Sequence, residues 1–145
     1  KIIAEYQFIA KERNMEIIFQ KSLRPITLFL FDSSQMYLAI HGLVHNSMKY
    51  TPNGGKVEIT SELLDNNKAK ITIRDNGMGI PSSEKDKIFT KFFRAGNAKQ
   101  LHKEGTGLGM YITKNIVERH KGEITFQSEE NKGTTIEIML PILEV

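Results

Sequence analysis

The 145-residue chain carries 20 Lys and Arg against 17 Asp and Glu, a formal net charge of +3, with 39% hydrophobic residues and no cysteine. That length supports one domain burying roughly two-thirds of its unfolded surface, and the absence of cysteine excludes disulfide scaffolds, cysteine metal sites and thiol nucleophiles. The basic residues are scattered, which argues against nucleic acid as a partner, and no run approaches the roughly 18 apolar residues of a membrane helix.

In chain order, Ile2, Tyr6, Ile9 and Ala10 recur at helical spacing and predict an amphipathic helix over residues 1–13. MEIIFQ (15–20) and PITLFLF (25–31), separated by KSLR, read as two short strands. Asp32 to Ser34 supply N-cap candidates for a long core helix with Met36, Ile40, Leu43, Val44 and Met48 on one face, ended by the turn cluster TPNGG. KVEITSELL (56–64) and KAKITIRD (68–75) alternate and predict a β-hairpin. A glycine loop (76–83), a short helix or turn (84–93) and a polar, mobile stretch (94–106) follow. From Gly107 a helix carries Leu108, Ile112 and Ile116 until His120, Lys121 and Gly122, and two strands, GEITFQSE and TTIEIMLP, flank the turn ENKG. The sum is α+β: a two-layer sandwich of five or six strands, mixed but largely antiparallel, with three helices on one face.

Several residues are hard to explain by folding alone. Asp75 falls in phase with Ala69, Ile71 and Ile73, so its carboxylate points toward the core side of its strand, where a lone charge needs partners. It reads either as a strand end turning into solvent or as an acceptor on a pocket floor, suited to the exocyclic amine of a base. Thr134 shares the phase of Ile136 and Ile138. On the long helix Gly42, Asn46, Lys49 and Tyr50 form one stripe, an arrangement suited to hydrated Mg²⁺, phosphate and a ring, or to a plain solvated face. DNGMGI (75–80) and GTGLGM (105–110) bring glycines that let backbone N–H groups approach an anion at a helix start. Neither fits the phosphate loop GxxxxGK[ST] or the dinucleotide fingerprint GxGxxG. His41 and His45 stand at the i, i+4 spacing of a metal pair, but position 42 is Gly where a zinc-protease helix needs Glu, and no third ligand is evident.

In order, HGLVHNSMKYTP (41–52), DNGMGI (75–80), KIFTKFFRA (87–95) and GTGLGMYITKNIVERHKGEI (105–124) resemble the N, G1, F and G2 boxes of histidine-kinase catalytic domains, and NKGTTIEIMLP resembles that family's last strand. The resemblance spans essentially the whole chain as one domain, 1–145. It implies the Bergerat ATP-binding fold shared with gyrase B and MutL, with ATP and Mg²⁺ as cofactors. It further implies that Asn46 ligates Mg²⁺, Lys49 meets phosphate and Tyr50 lies near the sugar or base. Asp75 accepts the adenine amino group, with Thr134 assisting through water. Gly77, Gly79 and Ile80 shape the adenine pocket, and Gly105, Thr106, Gly107, Leu108 and Gly109 hold the phosphates. Phe92 and Phe93 anchor a lid over 94–106, and Arg94 contacts the γ-phosphate side. Asn46, Lys49 and Arg94 are thus the expected catalytic residues.

Two departures from the family pattern matter. Gly42 stands where the family usually has Asn and where ATP-hydrolysing relatives have a general-base Glu, which fits phosphoryl transfer better than hydrolysis and removes an amide near the metal. His41, His45, His102 and His120 all lack the context of a phospho-accepting histidine. The chain, opening at Lys1, is therefore expected to be a soluble, monomeric, cytoplasmic fragment of a longer homodimeric protein. The acceptor histidine is expected on an upstream dimerisation domain, with a response regulator as partner, ATP or ADP as ligand, and a membrane anchor left open. The competing readings are a nucleotide-gated interaction module that transfers nothing and, disfavoured by the missing Glu, a DNA-linked ATPase.

Overall fold

A computed structural model describes residues 2–21, 31–64 and 67–142. Helix α1 (Ile2–Glu12) leads into strand β1 (Glu16–Lys21), and helix α2 (Ser33–Tyr50) into the hairpin β2 (Lys56–Leu64) and β3 (Lys68–Asp75). A 3₁₀ helix (Ser82–Lys87), a short helix α3 (Gly96–Leu101), helix α4 (Gly109–Arg119) and the strands β4 (Glu123–Glu129) and β5 (Gly133–Pro141) complete the order. The expected strand PITLFLF lies, apart from Phe31, outside the described residues.

The strands form one mixed sheet in the order β1-β2-β3-β5-β4. Only β1 and β2 run parallel, as a pair joined through the crossover helix α2 must; the other pairs are antiparallel. Val57, Ile59, Ile73, Ile124, Ile136 and Ile138 turn to one face, where they join Leu43, Val44 and Met48 of α2, Ile116 and Val117 of α4, and Tyr6 and Ala10 of α1 in one hydrophobic cluster. The other face is polar, with Lys70 Nζ 2.7 Å from Glu62 and 3.7 Å from Glu137. The expected two layers are therefore present, with α1, α2 and α4 packed on the same core.

Helix α2 starts where Asp32 accepts the N–H groups of Ser34 (2.9 Å) and Gln35 (3.0 Å), and it stops at Thr51, before Pro52. The stretch 94–106 departs from the irregular segment its polarity suggests, because NAKQL contains good helix formers and forms α3. Its start has no cap of its own; Glu84, twelve residues earlier, accepts the Gly96 N–H at 2.9 Å. No helix among the described residues is long and apolar enough to cross a membrane.

Candidate functional site

The register of the sheet decides what stands at the end of β3. Asp75 pairs with Val57 on one side and Thr134 on the other, and its phase turns it toward the helical layer at the sheet's end. There Oδ1 accepts the N–H groups of Gly77 (3.0 Å) and Thr134 (3.2 Å), and the Ser47 hydroxyl adds a further bond. Burial raises the Asp75 pKa above its usual value, and these bonds offset part of that shift.

Asp75 forms part of the wall of a cavity of about 300 Å³. Asn46, Lys49 and Tyr50 of α2, Gly79 and Ile80, Arg94, Gly105, Thr106, Gly107 and Gly109, and Thr134 line the same space. Asp75 is the only carboxylate among the lining residues. The Asn46 side chain makes no hydrogen bond to another described residue, so its amide is available to a ligand. A more open cleft of about 820 Å³ shares Lys49 and Tyr50 but has neither Asp75 nor Asn46 nor the second glycine segment in its walls.

Three of the sequence-derived residues do not line the 300 Å³ cavity. Gly77 supports it from behind through its bond to Asp75, and Leu108 donates its N–H to Thr106 Oγ1 (3.3 Å) at the start of α4. Phe92 is 72% exposed, with φ at +62°, and Phe93 lines the cavity in its stead. What locks this part of the chain is backbone: a Cβ on Gly107, itself at φ +70°, would lie 2.6 Å from the Phe92 carbonyl carbon. Gly79, at φ +65°, is equally constrained, since a Cβ there would meet the Glu129 carbonyl.

The segment 94–106 is tied across the cavity. Arg94 donates to the carbonyls of Lys103 (3.0 Å) and His102, and its guanidinium packs under Gly105. Lys49 Nζ reaches the Glu104 carbonyl at 3.4 Å, and His102 Nε2 donates to the Lys49 carbonyl at 3.1 Å while its ring stands edge-on to Tyr50. Asn97 donates to the Gly79 carbonyl at 3.0 Å, linking α3 to the glycine loop.

Two serines were missed. Ser47, 3% exposed, sits on the buried face of α2 with Leu43, Val44 and Met48, and a lone hydroxyl at that phase is the signal that would have found it. Ser128 follows Ile124 and Phe126 on the inward phase of β4 and contacts Thr134 Oγ1 at 2.8 Å. His41 and His45 flank the Tyr6 hydroxyl at 3.3 and 3.2 Å, and no metal-competent cluster of three His, Cys, Asp or Glu exists among the described residues.

Residues 31–144 match the family described as histidine kinase-, DNA gyrase B-, and HSP90-like ATPase. Sensor protein kinase WalK of Staphylococcus aureus is 38% identical over 145 residues, covering 97% of this chain; the chain spans about a third of that relative's length (34%). Among solved structures, a mycobacterial sensor histidine kinase, MprB, is 30% identical with a TM-score of 0.81, over 97% of this chain and 92% of its own. The nucleotide-free catalytic domain of histidine kinase ThkA is 28% identical at the same TM-score, over 97% and 87%.

Proposed function

Because the chain belongs to the histidine kinase-, DNA gyrase B-, and HSP90-like ATPase family, we propose that it is the ATP-binding catalytic domain of a sensor histidine kinase. It presents the γ-phosphate of ATP to a histidine on a separate dimerisation domain of the full-length homodimer. The observation that carries this reading is one cavity with a single half-buried carboxylate in its wall and with Gly105, Gly107 and Gly109, the glycines that lead into α4, in the same wall. The carboxylate accepts an exocyclic amine; the backbone N–H groups and positive end of α4 favour phosphate.

Asp75 is committed to the base by its bonds at the sheet's end, which leaves no carboxylate among the lining residues to activate water at the phosphates. Position 42, one turn before Asn46, offers no base either, since Gly42 has only the Thr113 hydroxyl near it, 3.8 Å from where a Cβ would be. Catalysis by this chain is then positioning and charge neutralisation. Lys49 offsets negative charge on the phosphates, and Arg94, whose guanidinium now holds lid carbonyls, exchanges some of them for phosphate oxygen on the γ side. The attacking nitrogen belongs to the acceptor imidazole.

Mg²⁺ fits this donor set. A cation that keeps most of its waters and takes phosphate oxygens needs only one protein oxygen, and the unpaired Asn46 amide supplies it. When bound, Mg²⁺ neutralises charge developing between the β- and γ-phosphates. A response regulator as the next phosphoryl acceptor belongs to the same proposal; ThkA has been solved in complex with the response regulator TrrA.

Calorimetric titration with ADP and a non-hydrolysable ATP analogue, with and without Mg²⁺, tests the reading. Micromolar to submillimolar binding is expected, weakened at least about tenfold, or 1.4 kcal/mol, in Asp75→Asn. Absence of binding at millimolar nucleotide, or unchanged affinity in the variant, overturns it.

A further inference from the structure

We propose that Ser128, a residue outside the wall of the cavity, fixes the hydrogen-bonding polarity of Thr134 and thereby makes the site reject 6-oxo purines. The proposal rests on the reading of the cavity as a nucleotide site.

The argument is a count of protons. Ser128 Oγ has three partners: the Ile80 N–H at 2.9 Å, the Gly133 carbonyl at 3.0 Å and Thr134 Oγ1 at 2.8 Å. A serine hydroxyl has one hydrogen and two lone pairs. The Ile80 N–H can only donate and the Gly133 carbonyl can only accept, so the Ser128 hydrogen points to Gly133 and one lone pair receives Ile80. What remains for Thr134 is the other lone pair, so Thr134 must be the donor. Its hydrogen is then turned away from the cavity, and Thr134 Oγ1 faces a ligand with lone pairs alone.

Thr134 is the cross-strand partner of Asp75, and both line the cavity. An ionised Asp75 is also an acceptor without a hydrogen to give. The two together form a floor that accepts and never donates. An exocyclic amine, with two N–H groups, satisfies such a floor. The carbonyl oxygen of hypoxanthine or guanine meets only lone pairs there, and an unpaired buried oxygen is strongly disfavoured. Ser128 is 9% exposed and acts through Thr134, so it is a positioning residue for specificity.

The experiment compares affinities for ATP and ITP, a 6-oxo analogue with the same sugar and phosphates, across Ser128→Ala, Thr134→Val and the double variant, with melting temperatures recorded alongside. The wild type is expected to prefer ATP by at least about 100-fold. In Ser128→Ala the threonine hydroxyl is released to rotate and donate to the 6-oxo group, and the ATP/ITP ratio is expected to fall about tenfold or more. A purely structural role would weaken both nucleotides alike and leave the ratio unchanged, which overturns the proposal. Thr134→Val serves where loss of Ser128 prevents folding: removing an acceptor opposite the 6-oxo group lowers the ratio, whereas removing a donor raises it and overturns the proposal. If Ser128 works through Thr134, the double variant has the ratio of Thr134→Val; additive losses overturn it. Failure of the wild type to bind ATP at all would sink the nucleotide reading itself, an outcome distinct from an unchanged ratio.

Discussion

Asp75 shows most plainly how one residue sets function against stability. Its carboxyl loses hydration at the end of β3 and regains only part of it from the Gly77 and Thr134 N–H groups and Ser47, so its pKa lies above the unfolded value of 3.8. An acid that holds its proton more tightly when folded favours folding below the unfolded pKa, and that contribution disappears as pH rises through the folded pKa. At neutral pH the half-buried charge is therefore a net penalty, which a ligand amine would offset under the proposed function. Asp75→Asn keeps the shape, removes the charge, and is expected to raise the melting temperature without nucleotide, by a margin that grows as pH rises through the folded pKa and then levels. Thermal denaturation across pH, with and without ADP, measures this; a destabilised Asn variant would show that the carboxylate's bonds outweigh its burial. Nucleotide binding has the opposite pH sign, strengthening as Asp75 ionises.

At the scale of elements, α2 carries both the core and the site. Its buried face holds Leu43 and Val44 at 0% exposure, while the neighbouring stripe brings Asn46, Lys49 and Tyr50 to the cavity. Gly42 interrupts that stripe in the helix interior, where glycine costs roughly 0.5–1 kcal/mol relative to alanine. A Cβ at this position meets only the Thr113 hydroxyl at 3.8 Å, an ordinary contact. Gly42→Ala should therefore stabilise the chain by about 0.5–1 kcal/mol in urea denaturation; a loss of stability would mean that α2 and α4 need the closer approach glycine allows. The helix and the β2–β3 hairpin were legible in the sequence because each buries one face against one core, and period alone reports that. Asp75 and Thr134 were legible for the same reason, as polar residues on an apolar phase. Helix α3 was not, because its cap, Glu84, comes from another segment. Nor was the outward ring of Phe92, because a positive φ enforced by close backbone packing leaves no mark on periodicity.

For the whole molecule, the closure of residues 94–106 over the cavity depends on polar bonds from residues far apart in the chain, with little apolar burial. Ala95 and Ala98 are the buried hydrophobic residues of this stretch, and Leu101 is 55% exposed. Holding the rest are Arg94 on the lid carbonyls, Lys49 on Glu104, His102 on Lys49 and Asn97 on Gly79. Each such bond contributes on the order of 1 kcal/mol net, so the segment is expected to open at a small fraction of the free energy of global unfolding. Amide exchange should therefore be fast in 94–106 without nucleotide and slow with it, while β3 and β5 stay protected in both states. Arg94→Ala removes the hub of these bonds and is expected to speed exchange in 94–106 in the nucleotide-free protein and leave the sheet unchanged. Nucleotide should then restore less protection than in the wild type if, as proposed, the same guanidinium moves to the phosphate side. Equal protection in the variant and the wild type with nucleotide would show that Arg94 serves the lid alone. Protection equal without nucleotide as well would mean that the segment is held by Lys49, near the C-terminal end of α2, and by the bond of His102 to the Lys49 carbonyl.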